Sequence, residues 1–250
     1  MQDKAMLIDS SKCMGCRGCS VSCKQWNQLS AVTTRNTGSY ENPPSFTPQT
    51  YTKVSFKEVA DGNKVKWLFR KEQCMHCNTA SCVAMCPVDA RSKNEFGFTE
   101  IDKEKCIGCG ICVNACPYGV PSLEDTTKKA TGCRFCLDRV LSGIKPACAK
   151  TCPTGAIQFG DRKEMLSLGR SIEARSSGKL TLYGEKEFGG LHMIYLLQDT
   201  PAVYGLPKEG AAAFNKFELF AYLEDKFKVS PVKEEVLTAA ALKYFGNVRI

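Results

Sequence analysis

Histidine is nearly absent from the 250-residue chain, which has two, His76 and His192. Imidazole-rich metal sites and Ser-His-Asp catalysis therefore have little to draw on. No glycine-rich phosphate loop and no paired-carboxylate constellation stands out either, so nothing in the sequence resembles an active site for a substrate. Long apolar runs are missing too. The stretches near Leu191–Leu197 and Ala211–Leu223 are short or broken by charge, against the roughly 20 consecutive apolar residues that a membrane span needs. The opening residues Met1–Asp9 show neither the apolar core nor the cleavage site of a signal peptide. The expectation is a cytoplasmic protein, or a periplasmic one exported with a partner that carries the signal for both. Positive charge exceeds negative, with 34 Lys+Arg against 26 Asp+Glu for a formal +8. No basic cluster is longer than pairs such as Lys128-Lys129, which favours a solvated surface over a nucleic-acid footprint.

What the chain has in abundance is cysteine. Sixteen are present in a composition that is 43% hydrophobic and 24% charged, enough to bury a core without staples. They form four groups of four: Cys13-x2-Cys16-x2-Cys19-x3-Cys23, Cys74-x2-Cys77-x4-Cys82-x3-Cys86, Cys106-x2-Cys109-x2-Cys112-x3-Cys116 and Cys133-x2-Cys136-x11-Cys148-x3-Cys152. None is left over. Pro87, Pro117 and Pro153 follow the last cysteine of their groups. The third group is the full C-x2-C-x2-C-x3-C-P run of bacterial ferredoxins, and the others are variants of it.

The spacing suits a [4Fe-4S] cubane. Thiolates at i, i+3 and i+6 on a loop wound round the cluster each reach a different iron, while the fourth cysteine points to a neighbouring cluster. Gly15, Gly18, Gly108 and Gly110 let backbone amides approach the sulfurs, where hydrogen bonds tune the potential. Disulfides would need an oxidising compartment and leave the recurring x2 and x3 unexplained. Zinc ribbons use one C-x2-C pair per knuckle and have no use for the remaining cysteines or the proline. Four clusters also alter the charge. Each oxidised site with its four thiolates carries about −2, roughly −8 in all, so the basic residues offset the chain's own cofactors.

The fourth-cysteine rule makes the groups come in pairs. The second and third are 19 residues apart and the first and second 50, so a local two-cluster ferredoxin from the second and third is expected, with the first closing on the fourth. The clusters are then Cys13/Cys16/Cys19/Cys152, Cys133/Cys136/Cys148/Cys23, Cys74/Cys77/Cys82/Cys116 and Cys106/Cys109/Cys112/Cys86. Sequential pairing, first with second and third with fourth, is the rival.

Around the clusters, Tyr51–Val59 and Lys64–Arg70 alternate on either side of Asp61-Gly62-Asn63, a β-hairpin signal. Phe98–Ile101 and Leu191–Leu197 are expected as strands. Thr34–Pro44 is polar, turn-rich and too long for a simple connection. Asp161–Ser176 is expected as a helix with Asp161 as N-cap and Gly178 as the stop. Two more helices are expected at Ala211–Phe227 and Pro231–Phe245, the first with Phe214, Phe217, Phe220 and Phe227 on one face. His76 is expected to pack or sit at the surface, since a complete quartet needs no imidazole. Trp26, Tyr118 and Phe135 flank ligands and are placed either to shield clusters or to fill the core. The residues by themselves describe an electron wire.

The four-group order, with x4 in the second group and x11 in the fourth, resembles the four-cluster iron-sulfur subunits of molybdopterin oxidoreductases. Within them it is most similar to the beta subunit of formate dehydrogenases. Cys-Met-Gly-Cys-Arg-Gly-Cys19, Arg35-Asn-Thr-Gly-Ser39 with Asn42-Pro-Pro44, Trp67-Leu-Phe-Arg-Lys71, Cys74-Met-His-Cys77, Cys106-Ile-Gly-Cys-Gly110, Pro146-Ala-Cys-Ala-Lys-Thr-Cys-Pro-Thr-Gly-Ala156 and Tyr204-Gly-Leu-Pro207 carry the resemblance. It implies an α+β, pseudo-twofold double ferredoxin with four [4Fe-4S] clusters nested as above. Residues 1–30 with 127–160 would form one module and 71–126 the other. Residues 31–70 would be a loop and hairpin insertion docking on the catalytic subunit, and 161–250 a C-terminal extension. The resemblance also implies a large catalytic partner holding molybdenum or tungsten on two pterin guanine dinucleotides, where formate and CO2 interconvert, and an electron acceptor. Membrane-bound relatives follow Tyr-Gly-Leu-Pro with a transmembrane helix, whereas Lys208–Ile250 is charged and reads as helical, which fits a soluble assembly docked through those helices. The sibling reductases of polysulfide, thiosulfate, nitrite or sulfoxide are the alternative partners, and a free polyferredoxin is the alternative of another class.

Overall fold

The computed structural model describes residues 3–207. In chain order, β1 is Lys4–Asp9, α1 Gly18–Trp26, β2 Lys53–Asp61 and β3 Lys64–Glu72. Next come α2 Ser81–Ala84, β4 Arg91–Lys93, β5 Thr99–Ile101, α3 Ile111–Asn114, β6 Ser122–Leu123 and β7 Ala130–Thr131. The chain continues through α4 Leu137–Leu141, α5 Ala147–Thr151, β8 Ile157–Asp161, α6 Arg162–Arg175, β9 Thr181–Tyr183 and β10 Met193–Leu197. The two expected C-terminal helices and their phenylalanine face lie outside the described residues. Among the described residues no helix is long and apolar enough to cross a membrane.

A four-stranded sheet in the order β8-β1-β10-β9 is the platform. β1 runs parallel to β10, with Met6 opposite Met193 and Leu7 opposite Ile194, and antiparallel to β8. Because side chains alternate along a strand, Ala5, Leu7, Ile194 and Leu196 meet Met165 of α6 on one face. Met6, Ile8, Met193, Tyr195 and Leu197 point the other way, into a core that includes Cys19, Cys148 and Phe135. Helix α6 sits close on its face: a Cβ on Gly169 would come within 2.7 Å of Leu182 Cδ1. Asp161 takes the N-cap position of α6, but its side chain makes no cap hydrogen bond; it pairs with Lys4 at 2.8 Å, tying β8 to β1.

The other side of the sheet holds the cysteine-rich body. Helix α1 lies against α5 and α2 against α3, while β4–β5 and β6–β7 are small antiparallel pairs. The long hairpin β2–β3 turns at Gly62-Asn63 as the alternation indicates. On one of its faces Phe56 and Phe69 stand opposite each other and Val54 stands opposite Lys71. Tyr40, from the irregular segment before the hairpin, packs on Phe56 at 5.8 Å and edge-on to Trp67 at 5.0 Å.

Candidate metal centres

All sixteen cysteines are free thiols. Helix α1 carries Cys19 and Cys23, spaced one turn apart on one face, against α5 with Cys148 and its C-cap Cys152. Helix α2 carries Cys82 against α3 with Cys112. One cavity is lined by Cys13, Cys16, Cys19 and Cys152 together with Ile8, Val54 and Lys71. A second is lined by Cys86, Cys106, Cys109 and Cys112 together with Arg91. Burial raises the Cys77 thiol, and the thiols of Cys74, Cys116 and Cys82 push the same way. Burial raises Cys23 to about 12, with Cys148, Cys136 and Cys19 as the thiols acting on it. Desolvation raises Cys133 as well, and it feels Cys23 and, across the gap between groups, Cys74.

One backbone device recurs in all four groups. The third residue of each C-x2-C loop is left-handed: Gly15 at φ 68°, His76 at 47°, Gly108 at 73° and Phe135 at 56°. The turn aims amides at sulfur. The N–H of Gly15 donates to Cys13 and that of Phe135 to Cys133, each favouring the thiolate. Glycine adopts this conformation freely, whereas His76 and Phe135 are held there by packing.

Without a metal the thiols of Cys19, Cys82 and Cys109 would stay protonated. Burial, the leading cause, brings Cys19 and Cys109 to about 11 and Cys82 to about 12. A nucleophilic or disulfide-exchanging cysteine needs the opposite shift, so thiol redox chemistry does not fit at these three positions, and a metal that displaces the protons does. The buried cations Lys71 and Arg91 fit the same group. Both lie among thiols, and a buried positive charge needs an anionic partner, which a cluster with its thiolates provides. A single ion would draw its sulfurs to within about 4 Å of one another. Among the described residues no three His, Cys, Asp or Glu side chains gather in that way, and the sulfurs of a cubane stand further apart.

The other residues picked out by sequence fall into place around the thiols. His76 is buried, and its Nδ1 accepts from the Thr99 amide at 3.0 Å. Burial and the charges of Lys93, Arg91 and Lys71 take its pKa down to about 3, so it packs as a neutral ring. Phe135 is buried against it, while Trp26 is 44% exposed, donating to Asp138 at 2.9 Å beneath the Arg139 guanidinium. The Tyr118 hydroxyl meets that of Tyr183 at 2.9 Å. Sequence reasoning missed Lys71 and Arg91. Three residues before Cys74 and five after Cys86, each reads as an ordinary surface charge, and only its burial sets it apart.

Two family models match the chain, both described as a 4Fe-4S dicluster domain, over residues 12–90 and 65–162. Two such domains and sixteen cysteines amount to four [4Fe-4S] clusters. The nitrate-inducible formate dehydrogenase iron-sulfur subunit of Escherichia coli K12 is 39% identical over 213 residues, covering 82% of this chain and 72% of that protein. Formate dehydrogenase 2 subunit beta (cytochrome c-553) of Nitratidesulfovibrio vulgaris is 34% identical over 210 residues, 80% and 96% respectively. The thiosulfate reductase electron transfer subunit of Salmonella typhi is 36% identical over 191 residues, 73% and 92%. Identity at this level over most of both sequences, centred on the cysteine quartets, decides the family: the chain belongs to the iron-sulfur subunits of formate dehydrogenases.

Proposed function

We propose that this chain relays electrons between a formate-converting catalytic subunit and an acceptor, through clusters held by Cys13/Cys16/Cys19/Cys152, Cys133/Cys136/Cys148/Cys23, Cys74/Cys77/Cys82/Cys116 and Cys106/Cys109/Cys112/Cys86. The observation that carries it is the cavity in which Cys152, last of the fourth group, closes on Cys13, Cys16 and Cys19 of the first. The matching cavity, where Cys86 joins Cys106, Cys109 and Cys112, supports the same exchange between the second and third groups. The packing of α1 on α5 and of α2 on α3 supports two modules, residues 1–30 with 127–160 and residues 71–126, related by a pseudo-twofold.

Bound there, a [4Fe-4S] cluster takes up and releases single electrons with little rearrangement. The chain's own residues do the rest. Ile8, Val54 and Ile157 wall the first cavity against water, and the loop amides point at sulfur. Cys16 reaches the surface beside exposed Met14, and Ile107 is exposed next to the third group, giving the wire two ends. The Cys16 end adjoins the aromatic hairpin, since Arg17 lies over Phe56 at 4.7 Å. Residues 31–70 are therefore the surface offered to the catalytic subunit, with its molybdenum or tungsten on two pterin guanine dinucleotides. The acceptor, a further protein or subunit, takes the other end, with residues 208–250 as its contact. The complex resides in the periplasm, exported together with its catalytic subunit, or in the cytoplasm.

The test is isolation of the native complex with metal analysis and formate-dependent dye reduction. Formate activity, with molybdenum or tungsten and four irons for every four cysteines, is the expected result. The Salmonella relative favours one second reading, a thiosulfate reductase subunit. A complex inert to formate and active with thiosulfate overturns the first reading in its favour.

A further inference from the structure

Two cations are buried inside the cysteine body, one in each half. Lys71 is 2% exposed and Arg91 7%. Lys71 lines the cavity of Cys13, Cys16, Cys19 and Cys152. Burial opposes its charge, and Cys148, Cys19 and Cys133 outweigh that opposition, two of these thiols coming from the quartet next door. Arg91 lines the cavity of Cys86, Cys106, Cys109 and Cys112 and also the groove that contains Cys74. Its guanidinium bonds Cys112 and feels Cys82 and Cys74, again thiols of two quartets.

Neither charge is placed for folding alone. Lys71 joins none of the ion pairs with carboxylates among the described residues. Its Nζ donates to Gln73 Oε1 at 2.7 Å, Gln73 Nε2 donates to the Tyr195 hydroxyl at 2.8 Å, and that hydroxyl donates to the Lys71 carbonyl at 2.7 Å. This closed ring fixes the ammonium without neutralising it. The Nε of Arg91 has no hydrogen-bond partner among the described residues. A methionine at either position would fill similar space and avoid burying a charge, which is often the more stable choice.

We infer that Lys71 and Arg91 are redox-positioning charges, one for each pair of clusters, each setting a fixed positive charge between two thiolate quartets and so raising the potential of both. The inference rests on the ligand sets proposed above. An arriving electron takes a site from about −2 to about −3, and a cation beside it stabilises the reduced form more than the oxidised one. Burial keeps salt from screening the effect. A cation shared by two neighbouring clusters also lessens the penalty that an electron on one imposes on the other.

The experiment is a cluster-resolved magnetic redox titration of the holo-complex carrying Lys71→Met, Lys71→Arg or Arg91→Gln, with iron counted in each. In Lys71→Met the two clusters built on Cys13 and Cys133 become harder to reduce by about tenfold in reduced-to-oxidised ratio, about 59 mV for one electron. The two built on Cys74 and Cys106 stay put. Lys71→Arg keeps wild-type potentials, and Arg91→Gln moves the other two clusters. Unmoved potentials at full iron, or an equal shift of all four, overturn the inference while leaving the ligand sets intact. The ligand sets fail separately, on iron content or on which signal a ligand substitution removes. Should the neutral variants lose iron, pulsed measurement of the wild-type complex with ¹⁵N-lysine decides. Nitrogen coupling to both clusters of the first pair, absent in Lys71→Arg, supports the placement; its absence overturns it.

Discussion

His76 and Phe135 meet edge to face, ring centroids 5.0 Å apart and planes at 66°, each in left-handed backbone at the same place in its own C-x2-C loop. His76 belongs to the second cysteine group and Phe135 to the fourth, so the contact joins two groups 47 residues apart at their nearest cysteines, Cys86 and Cys133. Phe98 completes it, stacked on Phe135 at 3.8 Å and edge-on to His76 at 5.8 Å. The first and third groups have glycine at that place. In these two loops, ring packing offsets the roughly 1–2 kcal/mol that left-handed backbone costs an ordinary residue.

That balance inverts a familiar order. Phe135→Ala removes the ring and keeps a Cβ in the strained conformation, and truncation of a buried phenylalanine costs about 3–5 kcal/mol. Phe135→Gly removes the same ring but relieves the strain, so it is expected to be the more stable of the two by about 1 kcal/mol. Denaturant unfolding of the two holo-variants checks this. An alanine variant as stable as the glycine one would mean that the loop relaxes freely.

Gly108 carries the same conformation against backbone rather than rings. A Cβ there would come 2.6 Å from the Lys128 carbonyl oxygen, whereas at Gly143, also left-handed at φ 69°, it would meet no described residue within 4 Å. Gly143→Ala is expected to cost only strain, about 1 kcal/mol. Gly108→Ala adds a clash that no side-chain rotation relieves, and is expected to lower the iron content of the third-group cluster as well as the melting temperature. Iron analysis and thermal melts of both variants separate strain from collision.

Cys152→Ser tests the exchange of fourth ligands. Cys152 shares its cavity with the first group, so the expected loss or conversion is in the cluster built on Cys13, with those built on Cys106, Cys74 and Cys133 unchanged. Magnetic spectra of the reduced complex resolve this, and loss at the Cys106 cluster would favour sequential pairing.

Much of this arrangement is written into the chain, and the exceptions share a cause. Cysteine spacing is a local pattern tied to cluster shape, and the β2–β3 hairpin follows from alternation around Asp61-Gly62-Asn63, so both are legible. The four-stranded sheet is not. β1 and β10 are buried on both faces and show no alternation, and their pairing joins residues 4–9 to residues 193–197. The left-handed His76 and Phe135 give no signal because sequence marks that conformation only through glycine. Lys71 is hidden by its type: opposite Val54 in an alternating hairpin, a lysine reads as solvent-facing, and only the thiols across the cavity explain its direction. Asp161 has the chemistry of a cap, yet Lys4, distant in sequence, claims its carboxylate.

Glu41 makes the proposed docking surface sensitive to acid. Its carboxylate accepts from the Phe56 amide at 3.0 Å and pairs with Lys53 at 3.0 Å, anchoring the segment whose Tyr40 covers Phe56 and Trp67. Partial burial works to raise its pKa, but Lys53 and the Phe56 amide prevail and hold it below the ordinary value. A depressed carboxylate contributes stability that is complete above the unfolded pKa of about 4.3 and is lost as pH falls through the lower folded value. Release of residues 34–44 is thus expected below about pH 4, with no change between neutral pH and 5. Glu41→Gln should reproduce the released state at pH 7, since the amide keeps an acceptor for Phe56 but loses the ion pair. Loss of a charged hydrogen bond worth about 1.5 kcal/mol corresponds to about tenfold faster cleavage in that segment by limited proteolysis. Glu58→Gln, exposed on the same hairpin, serves as the control. Equal cleavage of both variants would show that the aromatic contacts hold the segment and the carboxylate does not.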